Sequence, residues 1–243
     1  MTDQSLDTAI VLGARNLGAA ITCDLLARNV RVATIARTRA DLDLLAHEGA
    51  ATIAADASDP NELNAALDRA AKAIGEPELI INAISTNRAA KDGNGFGGGP
   101  IASSSVSGLE TWSTPAAQQA LTFLRASARA LEGRTATVVQ ITGAPARRTN
   151  PERGLVSAGM AAIRALTHAA AQELRESGIH VALLIVDGII ESPKTAAMTR
   201  QMPSEALVRH DDVAHAVRFL AAQSTRGMTH ELVLTPAAGR WIP

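Results

Sequence analysis

The chain has 243 residues, 47% of them hydrophobic, with 23 basic and 24 acidic side chains and a formal net charge of −1. That length suits one α/β domain with a single large core, and the charge balance lacks the basic excess of a general nucleic-acid binder. No apolar run reaches the roughly 18 residues of a membrane span, residues 1–8 lack the layout of a signal peptide, and the only cysteine, Cys23, leaves no intrachain disulfide and means a zinc site would need other ligands. Together these features predict a cytoplasmic protein that engages neither membrane nor nucleic acid and holds no metal.

Thr8–Leu12 reads as a short buried strand, followed by GARNLG at 13–18. Leu17, Ile21 and Leu25 recur at helical spacing, which predicts a helix from about Asn16 to Arg28. Val30–Ala36 is a second strand. Thr38 with Asp41 three residues later predicts a capped helix that ends at Gly49. Ala51–Ala55 is a third strand. Asp59-Pro60-Asn61-Glu62 combines a capping acid, a proline at the first helical position and a first-turn glutamate, so a helix should run to Ile74 and stop at Gly75. Glu78–Ala83 is a fourth strand.

Residues 85–114 then break the pattern, with GNGFGGGP at 93–100 and three serines at 103–105. An unstructured stretch of that length is unusual inside a domain, and it is expected to be a flexible flap. Beyond it come a helix at Pro115–Leu131, a strand at Arg134–Thr142, a basic loop at 144–154 and a long helix at Leu155–Ser177. A strand at Ile179–Val186, a helix at Asp211–Ala222 and a strand at Glu231–Leu234 complete the chain. Strands alternate with helices from end to end. That predicts a three-layer, Rossmann-type, doubly wound parallel sheet of about seven strands, in a single domain spanning 1–243.

GARNLG lies between a strand and a helix, and Gly13 and Gly18 have the outer spacing of G-x-G-x-x-G. The first glycine permits the tight turn and the last lets helix and sheet approach; the middle one, which gives room for a pyrophosphate, is Arg15 here. Arg37 stands just past the second strand, where NAD-preferring sites carry an acid. An arginine there suits a 2′-phosphate, hence NADP(H), and Arg39 could assist. A solvated arginine opening a helix is the structural alternative.

VLGARNLGAAI, INA at 81–83, VSAGMAAIRALTHAAAQEL at 156–174, GIHVALLIVDGIIES at 178–192, HDDVAHAVRFLA and MTHELVLTP resemble, in order and spacing, the short-chain dehydrogenase/reductase (SDR) family over almost the whole chain. The first turn has one residue fewer between its outer glycines than the family's. The nearest resemblance is to a divergent branch whose fifth strand ends Thr-Gly-Ala, as ITGA does at 141–144. The resemblance implies a cofactor lying along Gly13, Arg15, Asn16, Leu17 and Gly18, then Arg37, Asp56, Ala57, Asn82, Ala83 and Ile189. Asp56 matches the acid that family members place at the adenine. The resemblance also implies a homodimer or homotetramer through the long helix and the one before it, or a hetero-oligomer with an active SDR relative.

The resemblance stops at the chemistry. The family's Tyr falls on Val156, its Lys on Met160, its Ser on Gly143, and its helix Asn near Gln119; the chain contains no tyrosine at all and only Lys72, Lys91 and Lys194. Loss of a positioned general acid costs about 10²–10⁴ in rate, so the family mechanism does not carry over. Hydride transfer itself needs no side chain.

Thr142 and Asp187 are the catalytic candidates at the expected reacting end, with Ser85 and Thr86 after the fourth strand. A backbone-bonded strand-end Thr and a turn Asp are the structural alternatives. Arg147, Arg148 and Arg153 could clamp a substrate anion, or be a solvated loop. His168 and His180 read as structural, and His210 with His215 has the wrong spacing for a helical metal site.

Three functions therefore stay open. One is an atypical NADP(H)-dependent oxidoreductase acting on a small ketone or alcohol, of the kind specialised metabolism supplies. The others are a non-catalytic subunit paired with an active relative, and a non-redox cyclase, dehydratase or isomerase.

Overall fold

The computed structural model describes residues 6–85, 97–192 and 195–239. Seven parallel strands form one sheet: β1 (Thr8–Leu12), β2 (Arg31–Ala36), β3 (Ala51–Ala54), β4 (Leu79–Asn82), β5 (Ala136–Gly143), β6 (Ile179–Val186) and, after a short two-stranded ribbon, β9 (Glu231–Leu234). Their spatial order is β3-β2-β1-β4-β5-β6-β9. All five residues of β1 and all eight of β6 are buried, as expected of strands covered on both faces. The ribbon, β7 (Ile189–Ile190) with β8 (Leu207–Val208), has too short an apolar run for periodicity to reveal it.

Helices α3 (Pro60–Ile74), α5 (Thr114–Ala130) and α6 (Gly154–Glu173) cover one face; α1 (Leu17–Leu26), α2 (Arg39–His47) and α8 (His210–Ala221) cover the other. Alternation along each strand separates two cores. Ile10, Leu12 and Val138 join Leu67 and Phe123 on the first face, while Ala9, Val11 and Val139 join Leu25 and Val217 on the second. This is the three-layer doubly wound architecture that the alternating pattern predicts.

The start of α3 forms as its sequence dictates. Asp59 Oδ1 accepts from the backbone N–H of Asn61 at 2.8 Å and of Glu62 at 2.9 Å, a cap worth about 1 kcal/mol. Helix α2 differs. Thr38 makes no side-chain cap bond, and Asp41 instead faces Arg15 at 3.4 Å. The long helix also ends earlier than expected, at Glu173, where the chain tightens into a 3-10 turn at Arg175–Ser177.

Much of the expected flap has structure. Ile101–Ser103 is a 3-10 turn and α4 (Gly108–Trp112) a short helix, with Trp112 buried. Gly97, Gly98 and Gly99 all adopt positive φ and are buried against the start of α6; a side chain on Gly98 would sit 2.5 Å from Leu155 Cδ1. A further short helix, α7 (Ala196–Thr199), follows the ribbon strand β7. Among the described residues, no helix is long and apolar enough to cross a membrane.

Candidate functional site

Ligands of doubly wound sheets bind beyond the carboxyl ends of the strands where the order reverses, here between β1 and β4. The turns after these strands touch. Gly13 has φ +108°, and a Cβ there would lie 3.3 Å from the carbonyl oxygen of Ala83. Gly18 is more constrained, since a Cβ would lie 2.0 Å from the Gly13 carbonyl oxygen. Helix α1 can begin this close to β1 only because residue 18 has no side chain. With Arg15 in the middle position, the unusual backbone falls on Asn16, at φ 47° and ψ −112°. Asparagine tolerates positive φ better than most residues. The Arg15 side chain is exposed and drawn toward Asp41 of α2, away from the glycine cradle. Leu17 packs against the α8-face core.

Arg37, exposed just beyond β2, lies 3.8 Å from Asp56, which follows β3. The loop carrying Asp56 is fixed on both sides. Its backbone N–H donates to Glu62 at 2.8 Å, and its own carboxylate accepts from Ser58 N–H at 2.9 Å. A fixed acid beside an exposed guanidinium at the strand ends suits a ribose with an attached phosphate. Ala57 is 3% exposed and belongs to the core, so it can offer a ligand little more than its backbone.

Asn82 makes its side-chain bonds within the protein. Its side chain is fully buried and engaged internally: Nδ2 donates to Gln119 Oε1 at 2.8 Å and to Gln140 Oε1 at 2.9 Å, and Oδ1 accepts from Ile84 N–H at 3.2 Å. These bonds tie the turn after β4 to α5 and β5. The signal for this network was Gln140, an amide inside a buried strand, since a buried amide requires partners.

At the other end of the crevice, β5 and β6 finish side by side, Gly143 opposite Val186. Thr142 is 9% exposed, and its Oγ1 has no hydrogen-bond partner among the described residues. It is therefore not the backbone-bonded strand-end threonine of the structural alternative. Asp187 is 6% exposed and accepts from Arg148 Nη2 at 2.6 Å, while its backbone N–H donates to Leu234 carbonyl at 2.7 Å. The positions of the missing Tyr and Lys are apolar: Val156 is 1% exposed, and Met160 Sδ packs 3.7 Å from where a Gly143 side chain would begin. Ile189 is half-buried in the ribbon. Ser85 is exposed, and Thr86 lies outside the described residues.

The basic loop is engaged rather than loosely solvated. Glu231 accepts from Arg164 Nε at 2.6 Å, lies 2.9 Å from His168 Nε2 and 3.6 Å from Arg147 Nε. Burial, the largest influence, raises the Glu231 pKa, but the Arg164 hydrogen bond and the charges of Arg164, His168 and Arg147 outweigh it and hold the carboxyl below its ordinary value. His180 Nε2 faces the Thr229 carbonyl at 2.9 Å, and burial lowers its pKa. Among the described residues, no group of three or more His, Cys, Asp and Glu side chains could hold a metal ion. A groove of about 820 Å³ between α8 and the end of β9 is lined by Leu207, Phe219 and Leu234 and by none of the predicted cofactor-binding or catalytic residues.

The family model described as enoyl-(acyl carrier protein) reductase matches residues 11–235. The chain belongs to this family, within the short-chain dehydrogenases/reductases. No curated protein matches it. Among solved structures it resembles an NADPH-bound short-chain oxidoreductase from Pseudomonas aeruginosa PAO1 described as containing an atypical catalytic center, with a TM-score of 0.79, 22% identity, and 97% of this chain and 98% of that one covered. It also resembles a variant of actinorhodin polyketide ketoreductase with NADPH, at a TM-score of 0.75 and 20% identity over 99% and 100% of the two chains. A short-chain dehydrogenase from Burkholderia cenocepacia J2315 in complex with NADP matches at a TM-score of 0.74 and 24% identity, over 95% and 96%.

Proposed function

We propose that this protein is an NADP(H)-dependent oxidoreductase of small ketones or alcohols that works without the Tyr–Lys pair of its family. The observation that carries the reading is the intact phosphate end of the crevice: the Gly13–Gly18 cradle beside Ala83, with Arg37 standing next to Asp56. Backbone of residues 13–18 would face the pyrophosphate, Asp56 the adenine, Arg37 the 2′-phosphate and Ile189 the carboxamide end, with Asn82 acting only through the turn it fixes. The three solved structures above, each holding NADP or NADPH, support the same cofactor here. When bound, NADPH supplies the hydride. Thr142 and Asp187 are polar groups at that end, the first a buried hydroxyl without a partner among the described residues and the second tied to Arg148.

Calorimetric titration tests this directly. NADPH should bind at micromolar concentration and NADH more weakly, and Arg37→Ala should cut NADPH affinity about tenfold or more while leaving NADH nearly unchanged, as loss of a charge-assisted phosphate contact requires. Absence of binding by either nucleotide would sink the reading.

One observation favours a second reading. Val156 and Met160 give the Tyr–Lys positions an apolar, well-packed surface with no trace of acid–base chemistry. A non-catalytic subunit that lends stability to an active relative fits that surface, and would co-purify with that relative. As for assembly, exposed Ala158, Ala161, Ala165 and Ala169 line one face of α6, beside exposed Leu121 on α5. We infer a homodimer or homotetramer closed through this face.

A further inference from the structure

We propose that the crevice holds NADP(H) by its 2′-phosphoadenosine end, and that the nicotinamide riboside end adds little to affinity because Met160 and its neighbours give it an apolar wall. The ligand class selected is thus a 2′-phosphorylated adenosine diphosphate, with the nicotinamide carried along. The inference rests on the NADP(H) reading above and names how the two ends share the binding.

The two ends of the crevice differ in chemistry. At the first, the Gly13–Gly18 cradle stands beside Arg37, which is exposed and 3.8 Å from Asp56. Bonds to Glu62 and from Ser58 N–H fix the loop that carries Asp56. A phosphate placed there gains a charge-assisted contact. At the second end, β5 finishes at Gly143, which brings no side chain, opposite Val186 of β6. A Cβ on Gly143 would lie 3.5 Å from Pro145 Cδ and 3.7 Å from Met160 Sδ, so both pack over this strand end. Val156 and Val186 are buried, while Met160 and Ile189 are half-buried and keep some surface. Met160 is two residues beyond Ala158, about 200° around α6, so it faces the sheet and stays clear of the alanine face. The polar side chains that β5 and the turn after β6 bring to this end are Thr142, whose hydroxyl is buried, and Asp187, which is buried and bonded to Arg148.

A ribose brought against this wall exchanges water for thioether and aliphatic carbon, and its hydroxyls lose bonds that the wall does not replace. The nicotinamide ring gains contact with the same apolar surface, which offsets the loss. The backbone at Ile189 can serve only the carboxamide. Affinity is therefore set at the phosphate end. Residue 160 determines this division. A single hydrogen bond between uncharged groups is worth about two- to tenfold in affinity, so an amide at the same reach as the Met160 thioether would make the riboside end count.

The test compares NADPH with 2′-phosphoadenosine 5′-diphosphate, which lacks only the nicotinamide riboside, by calorimetric titration of the full chain. The two should bind within fivefold of each other. Met160→Gln should tighten NADPH at least threefold and leave 2′-phosphoadenosine 5′-diphosphate within twofold. Met160→Leu, which keeps an apolar side chain of similar size, should leave both unchanged, and so separates polarity from packing. NADPH binding fivefold or more tighter than the truncated nucleotide in the unaltered protein overturns the proposal. So does a Met160→Gln variant, folded by its thermal midpoint, in which the two affinities move together or not at all. In these outcomes the nucleotides still bind, and the NADP(H) reading stands. Failure of both nucleotides to bind the unaltered protein would overturn that reading and this inference together.

Discussion

Gly18 and Gly49 are both glycines for physical reasons, but for different ones. At Gly49 the backbone sits at φ +101° with nothing within 4 Å of a would-be Cβ, so only conformational strain opposes a side chain. At Gly18 the backbone is ordinary and space is lacking: the Cβ would lie 2.0 Å from the Gly13 carbonyl oxygen, a distance no relaxation of a flexible side chain can relieve. Gly49→Ala should therefore cost about 1–3 kcal/mol through strain alone. Gly18→Ala must push α1 off β1 and should cost more than Gly49→Ala in urea denaturation, while also abolishing nucleotide binding, which Gly49→Ala leaves intact. Equal costs with binding preserved in both would mean that the turn tolerates a wider approach than its geometry implies. Arg15 teaches the complementary lesson. Its bulk in the middle position seemed to shrink the site, but the side chain leaves toward Asp41 and the awkward backbone passes to Asn16.

Elements whose signals are local were legible in the sequence. β1, β6 and β9 fall where their apolar runs lie, and α3 starts at Asp59 and ends at Gly75 because cap, proline and positive-φ glycine each act within a few residues. Elements whose partners are distant were not. Thr38 looked like a cap, yet Asp41 answers to Arg15 across a turn. The segment at 97–112 looked featureless because its order comes from glycines seating on Leu155 of another element, and nothing local announces that. The Arg148–Asp187 pair and the Asn82–Gln119–Gln140 triad are likewise tertiary. The alanine face of α6 is a case where the element predicts beyond the single chain. Small side chains at Ala158, Ala161, Ala165 and Ala169 allow close helix approach while burying little within the monomer. Ala165→Arg should leave the thermal midpoint of the subunit nearly unchanged, as an exposed substitution does, but shift the mass in sedimentation or light scattering to that of a smaller assembly. An unchanged mass would remove this face from the interface.

At the scale of the molecule, β3 and β9 are the two edges of the sheet; β9 pairs only with β6, and a charged cluster ties it to the helix layer. Glu231 at the start of β9 gathers Arg164 and His168 from α6 and Arg147 from the preceding loop, while His180 of β6 reaches back to Thr229 just before β9 and stacks edge-on with His230 at 5.6 Å. Both titrating groups set the acid limit of stability, and in the same direction. His180 is held neutral by burial, so below its ordinary value of 6.5 the unfolded chain takes up a proton that the folded chain resists, and stability falls as pH drops. Glu231 has its folded pKa depressed. The stability it confers is therefore complete above its ordinary value of 4.5 and is lost as pH falls through the lower folded value. Urea midpoints measured from pH 8 to pH 3 should decline in two stages, the first starting near 6.5 and the second below 4.5. Glu231→Gln should lower the midpoint at neutral pH, because Arg164 and Arg147 lose their shared anion, and should flatten the second stage. His180→Gln should flatten the first. A Glu231→Gln variant that keeps the full acid decline would show that the flank is held by the apolar packing of Leu232 and Leu234 against the α8-face core, and that the charge cluster contributes nothing to the fold's acid limit.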